Sequence, residues 1–216
     1  MQKKNRIIIF SVCALFFIVA FSRQIVFGNE KNVTNNVSVD LETAVAKVLN
    51  EMPDVTKNQA KSLGKSVNLN SQSVENTMDN KKAEFRLKVH NEMSNLKHDN
   101  AYLEKVAIEE TARYIDAIRI AEEIYGVSIT QEEVNLYIAT NVADVVLPEK
   151  ERYAKALGIS LYDLDYNFDR DFYVMDTLWD KLMPVLLERY PKEDGEDPNL
   201  YLDRIKSEFY SHSSIR

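Results

Sequence analysis

Asp163, Asp165, Asn167 and Asp169 have the residue types and the two-residue spacing of positions 1, 3, 5 and 7 of a calcium-binding loop. The pattern fails where such a loop is decided, because Phe168 stands at the turn glycine and Val174 at the bidentate glutamate. On a helix, residues two apart point in nearly opposite directions, so these groups serve helix initiation and solvation rather than one cation. His90, His98 and His212 come without an HExxH pattern or a companion carboxylate. The acid pairs Glu109-Glu110, Glu122-Glu123 and Glu132-Glu133 imitate acid–base dyads, but adjacent helical residues diverge by about 100° and describe a solvated face. The glycines, at 28, 64, 126, 158 and 195, are too dispersed for a phosphate loop, and no nucleophile elbow is present. The acids over 193–197 read as a polar hinge. The sole cysteine, Cys13, leaves no partner for a disulfide or a thiolate metal site. These patterns predict a protein that is not an enzyme and that needs neither metal nor cofactor.

Recognition is the remaining chemistry, and its candidates are Tyr162, Tyr166 and Tyr173. The spacing predicts one long helix over 161–190, with Pro184 as a point of bending. Its core stripe is Leu161, Leu164, Phe168, Phe172, Met175, Trp179, Leu182 and Leu186, within an arc of roughly 80°. The three tyrosines form a second stripe roughly 140° from the centre of the first. Two readings of it stand side by side. The rings pack against a neighbouring helix such as 101–125, or they line a groove for extended polypeptide, offering large apolar area with polar tips at little rotamer cost.

The elements that must hold such a stripe are helices. Of 216 residues, 45% are apolar and 28% charged, with only five Gly and five Pro, a composition that disfavours a turn-rich β architecture. Phe85, Val89 and Met93, followed by Leu96, predict a helix over 81–98. A longer one over 101–125 is closed by Gly126, and Gly158 closes another in the same way. Thr130 with Glu133, and Ser160 with Asp163, are hydroxyl caps with an acid three residues on. Further helices follow over 131–142 and 147–156, and Asp197-Pro198 starts a last one to about residue 210. The expected fold is all-α, an irregular bundle of five to six helices with one long helix. Residues 29–80 hold ten asparagines and read as a polar linker whose only order is a short amphipathic helix carrying Leu41, Ala44, Val45, Val48 and Leu49. The folded domain is then 81–216.

The run over 101–182, with AEEIYGVSITQEEV at 121–134, LPE at 147–149 and AKALGISL at 154–161, resembles the N-terminal chaperone domain of SurA and PrsA type foldases. That resemblance implies a helical peptide-binding module. In the family a parvulin prolyl isomerase domain often follows, and a C-terminal helix packs back on the first domain. Here only the eight residues of 191–198 occupy the place of an isomerase, so the resemblance implies binding without isomerase activity. The short strand that usually follows the family's signal sequence has no counterpart here.

Residues 1–28 carry three bases over 1–6 and then IIIFSVCALFFIVAF over 7–21, the order of a signal sequence. Fifteen apolar residues are short for a membrane span of about 20. Small residues near 20–22 and 26–28 suit cleavage, and an uncleaved anchor is the alternative; either places the domain outside the cytoplasm. Beyond residue 28, 23 basic residues face 34 acidic ones, a surface that repels nucleic acid. The expected partner is an unfolded or extended polypeptide or, alternatively, one dedicated envelope protein.

Overall fold

Side-chain caps and left-handed stops set the helix boundaries in this computed structural model, which describes residues 39–56 and 73–215. The leader and half of the Asn-rich segment lie outside the described residues. Helix α1 (Leu41–Glu51) opens on Asp40, whose carboxylate accepts the Thr43 N–H. A 3-10 turn (Val74–Thr77) leads to α2 (Asn80–Ser94) and α3 (Asn100–Tyr125). α2 stops short of the expected residue 98, because Asn95 turns left-handed at φ 51° and its N–H is used by Asn91 and Glu92 carbonyls. Gly126, at φ 66°, ends α3, and the following Val127 N–H reaches back to the Ala121 carbonyl.

Helix α4 (Gln131–Asn141) starts with a complete capping box between Thr130 and Glu133. α5 (Pro148–Leu157) begins on proline and ends at Gly158, φ 70°. α6 is only Leu161–Asp163, and α7 runs over Arg170–Arg189, straight through Pro184. After a loop pinned by Glu196 on Arg204, α8 (Pro198–Tyr210) starts under an Asp197 cap. Among the described residues, eight α-helices therefore stand where five to six were expected, and no strand occurs.

The long helix expected over 161–190 is interrupted. Leu164–Phe168 form a π turn, closed by the Asp169 N–H on the Leu164 carbonyl at 2.8 Å. The wider turn breaks the 100° progression, so every side chain after it faces a different way from that of a continuous α-helix. The buried stripe shifts only in part. Val174 and Leu178 are fully buried beside Leu182 and Leu186 of the expected stripe, while Phe172 and Trp179 are only partly so. Met175 stays in the core.

The π turn also separates two hydrophobic cores. Leu164 and Phe168, before the break, pack with Ala44, Val45 and Val48 of α1, Phe85 and Val89 of α2, and Tyr153, Ala154 and Leu157 of α5. Residues after it pack with Ala117, Ile120 and Ala121 of α3, Val134 and Ile138 of α4, and Ile205 and Phe209 of α8. The helix assigned to the linker is thus part of the first core, and it contacts both α2 and α5. Filling such positions with three small apolar side chains contributes on the order of 0.8 kcal/mol per buried methylene. The pairing of α2 with α3 adds a third, smaller cluster of Ala83, Leu87, Leu103 and Ala107. Among the described residues, no helix is long and apolar enough to cross a membrane.

Candidate functional site

The π turn and the start of α7 carry the polar groups that distinguish this fold, and they point to two sides. On one side the Arg86 guanidinium of α2 makes a bidentate pair with Asp171, 2.7 Å on each arm, and donates to the Phe168 carbonyl at 2.8 Å. The Phe172 ring lies 4.1 Å from the guanidinium carbon. Burial works against the Arg86 charge, but Asp171 and Asp169 outweigh it and hold its pKa above the ordinary value. Asp169 gains less: its Oδ1 sits 3.3 Å from Arg86 Nε, yet neither atom makes a hydrogen bond. Burial pushes its carboxyl up to about 7, against the pull of Arg86. This centre is closed on all sides and joins α2 to the pivot between the cores.

The other side is open. Asn135, Leu136 and Ala139 of α4, with Tyr162, Tyr166, Asn167 and Arg170, line a cleft of about 430 Å³. Tyr162 and Tyr166 stack with their centroids 4.4 Å apart and their planes 18° from parallel, so together they present one flat wall. Leu136, 67% exposed, lines the same cleft, and Tyr162 is itself 59% exposed. Arg170 also lines it and is 6% exposed. Its Nε and Nη2 donate to Gln131 Oε1 at 3.0 and 2.6 Å, Nη2 also to the Gln131 carbonyl, and Nη1 to Asn135 Oδ1 at 2.7 Å. All these acceptors are neutral. Burial lowers the Arg170 pKa, and the two tyrosines only partly oppose that.

The three tyrosines expected in one stripe are divided by the π turn. Tyr162 and Tyr166 line the cleft, whereas Tyr173 is 5% exposed and packs on the Tyr137 ring in the core. Its hydroxyl lies 3.4 Å from Asp165 Oδ1. The buried ring thus meets α4 through Tyr137 and shares its core with Ala117, Ile120 and Ala121 of the 101–125 helix.

The calcium-like acids also go separate ways. Asp163 caps α6 with Ser160, and Asp165 is buried against Lys150 Nζ at 2.8 Å. Lys150 also reaches the Val142 and Val145 carbonyls. Asn167 donates to Asp163, and its carbonyl takes Lys82 Nζ. His90 is buried beside Ser94, and the His98 ring lies 4.8 Å from Tyr102. Glu133 is tied to Lys181, and burial raises the Glu110 carboxyl next to the Tyr114 hydroxyl.

No family model matches this chain. Nor does any curated protein or solved structure match it, so the fold and the cleft carry the functional argument themselves.

Sequence reasoning passed over Leu136, Arg170 and Arg86. For Leu136 a signal existed, since it lies two residues from both Val134 and Ile138 and therefore points about 200° away from the buried face of α4. Arg170 gave none, because its position beside Gln131 and Asn135 depends on the π turn. Arg86 looked like one of the solvated charges of α2, but that helix is buried nearly all round from Ala83 to Asn91.

Proposed function

We propose that this protein is an extracytoplasmic, ATP-independent, chaperone-like peptide-binding module that holds extended polypeptide without covalent chemistry. One observation carries the reading: two of the three most exposed large apolar side chains among the described residues, Leu136 and Tyr162, flank the same open cleft. A rigid aromatic wall sharing a cleft with an aliphatic side chain suits contact with many sequences, because it buries area at low rotamer cost and tolerates water at its edges. The cleft stands on folded elements rather than on a long loop, which favours a preformed groove. The resemblance of residues 101–182 to SurA and PrsA type chaperone domains supports the same reading. So does the connection between α7 and α8, which is too short to hold an isomerase. The signal-like segment over 1–28 supports delivery across a membrane, as a cleaved leader or an anchor.

The full chain, in severalfold excess, is expected to slow the aggregation of a chemically unfolded client measured by light scattering. Leu136→Ser combined with Tyr162→Ser should remove most of that effect while leaving the melting temperature nearly unchanged, since both side chains are exposed. Failure of the unaltered chain to suppress aggregation would sink the proposal.

A further inference from the structure

Each buried lysine or arginine among the described residues has a carboxylate beside it, with one exception. Arg86 has Asp171, Lys88 has Glu84 and Lys150 has Asp165. Arg170, buried as deeply as Arg86, is held by the oxygens of Gln131 and Asn135 alone. Neutral amide dipoles orient a guanidinium but do not neutralise it, and a buried unpaired charge is costly. The fifth N–H, on Nη1, has no acceptor among the described residues, and the guanidinium lies in the wall of the cleft.

Deepening the peptide-binding reading and resting on it, we infer that the cleft selects polypeptide segments in which an Asp or Glu side chain adjoins a large apolar one. The carboxylate meets the Arg170 guanidinium from the open side, and the apolar neighbour lies between Leu136 and the stacked Tyr162 and Tyr166 rings. The protein as a whole is acidic, at −7, so a buried cation without a carboxylate partner is a local exception. The cleft is partly open to solvent rather than an enclosed cavity, which leaves room for a side-chain carboxylate of a longer chain. Gln131 and Asn135 preset the fork, so little ordering remains to be done on binding.

The test uses the full chain with 13C-labelled tyrosine and ten-residue peptides blocked at both ends. One peptide carries Leu-Glu-Phe in a Gly/Ser/Thr background, and two others replace the Glu by Gln or Lys. The Glu peptide should shift the Tyr162 and Tyr166 signals with an affinity about tenfold or more above that of the Gln peptide, the Lys peptide being weakest. High salt should narrow the gap. In Arg170→Met the Glu and Gln peptides should bind within about twofold of each other; if that variant fails to fold, the peptide comparison on the unaltered chain decides alone. Equal shifts from Glu and Gln peptides would overturn the carboxylate preference and leave the cleft reading intact. Tighter binding of an unblocked peptide lacking Glu would overturn the side-chain assignment in favour of a terminal carboxylate. No shift from any peptide at millimolar concentration would overturn both the preference and the peptide-binding reading.

Discussion

Arg86 and Arg170 flank the same irregular turn, are both only 6% exposed, and are both held by several short hydrogen bonds. They differ in what faces the charge. Arg86 lies between two aspartates and an aromatic face, in a closed centre that ties α2 to the start of α7. Arg170 lies against amides at the edge of an open cleft. A buried cation with its own counter-ions is a fastener, whereas one without them is a cation held ready for something else. Depth of burial alone does not distinguish the two; the charge and the openness of the surroundings do.

Breaking the first member of the pair should give the largest effect. Arg86→Met leaves Asp171, 3% exposed, and Asp169 without their cation inside the protein. Loss of one partner from a buried pair costs about 3–5 kcal/mol, and urea unfolding should show it as a lower midpoint with an unchanged slope. A cost below about 1 kcal/mol would mean that the centre is not a fastener.

Next in size is a pH effect centred on Asp169 of the closed side. The folded state keeps the Asp169 proton up to about pH 7, whereas an unfolded aspartate releases it near pH 4. Between those values the native state binds more protons than the unfolded one, so stability falls as pH rises through the interval. Asp176, raised to about 7 by burial and by Asp180, adds to the same trend. Asp169→Asn, which imitates the protonated form, should flatten the decline between pH 5 and 7, leaving the share due to Asp176 and to the other carboxyls raised by burial, Asp165, Asp180 and Glu110. Melting curves across that range in both proteins measure it, and an identical slope in the variant would count against the assignment.

Much of the scaffold around both arginines was legible because it depends on local rules. Thr130 with Glu133, Asp197 before Pro198, and glycines at 126 and 158 announce helix ends through backbone groups that must be satisfied within a few residues. The π turn was not legible. Leu164 to Phe168 read as an ordinary stretch of amphipathic helix, and the inserted turn exists because Leu164 and Phe168 are claimed by one core while Val174 and Leu178 are claimed by another. That single irregularity sends Tyr173 inward, separates it from Tyr162 and Tyr166, and brings Arg170 to the cleft. The sequence pattern could therefore name two of the wall residues but not the cation that lines the same cleft. The role of α1 was hidden for a related reason: Ala44, Val45 and Val48 form a narrow stripe in a polar stretch, and only the partners on α2 and α5 turn it into core.

The smallest effect on stability, and the sharpest test of the contrast, is the same substitution on the open side. Arg170→Met removes hydrogen bonds from a charged guanidinium to Gln131 and Asn135, each contributing about 1.5–3 kcal/mol before the cost of burying that charge. It also removes a charge whose burial lowers its own pKa, and it strands no carboxylate. Asn135 lines the cleft, where water can take its oxygen, whereas Gln131 is buried and the methionine must fill the space beside it. These terms offset, so the net cost should be about 1 kcal/mol, well below that of Arg86→Met in the same urea titration. Equal costs for the two variants would show that Arg170 is as structural as Arg86. A small cost would leave its position at the cleft to be explained by what it binds.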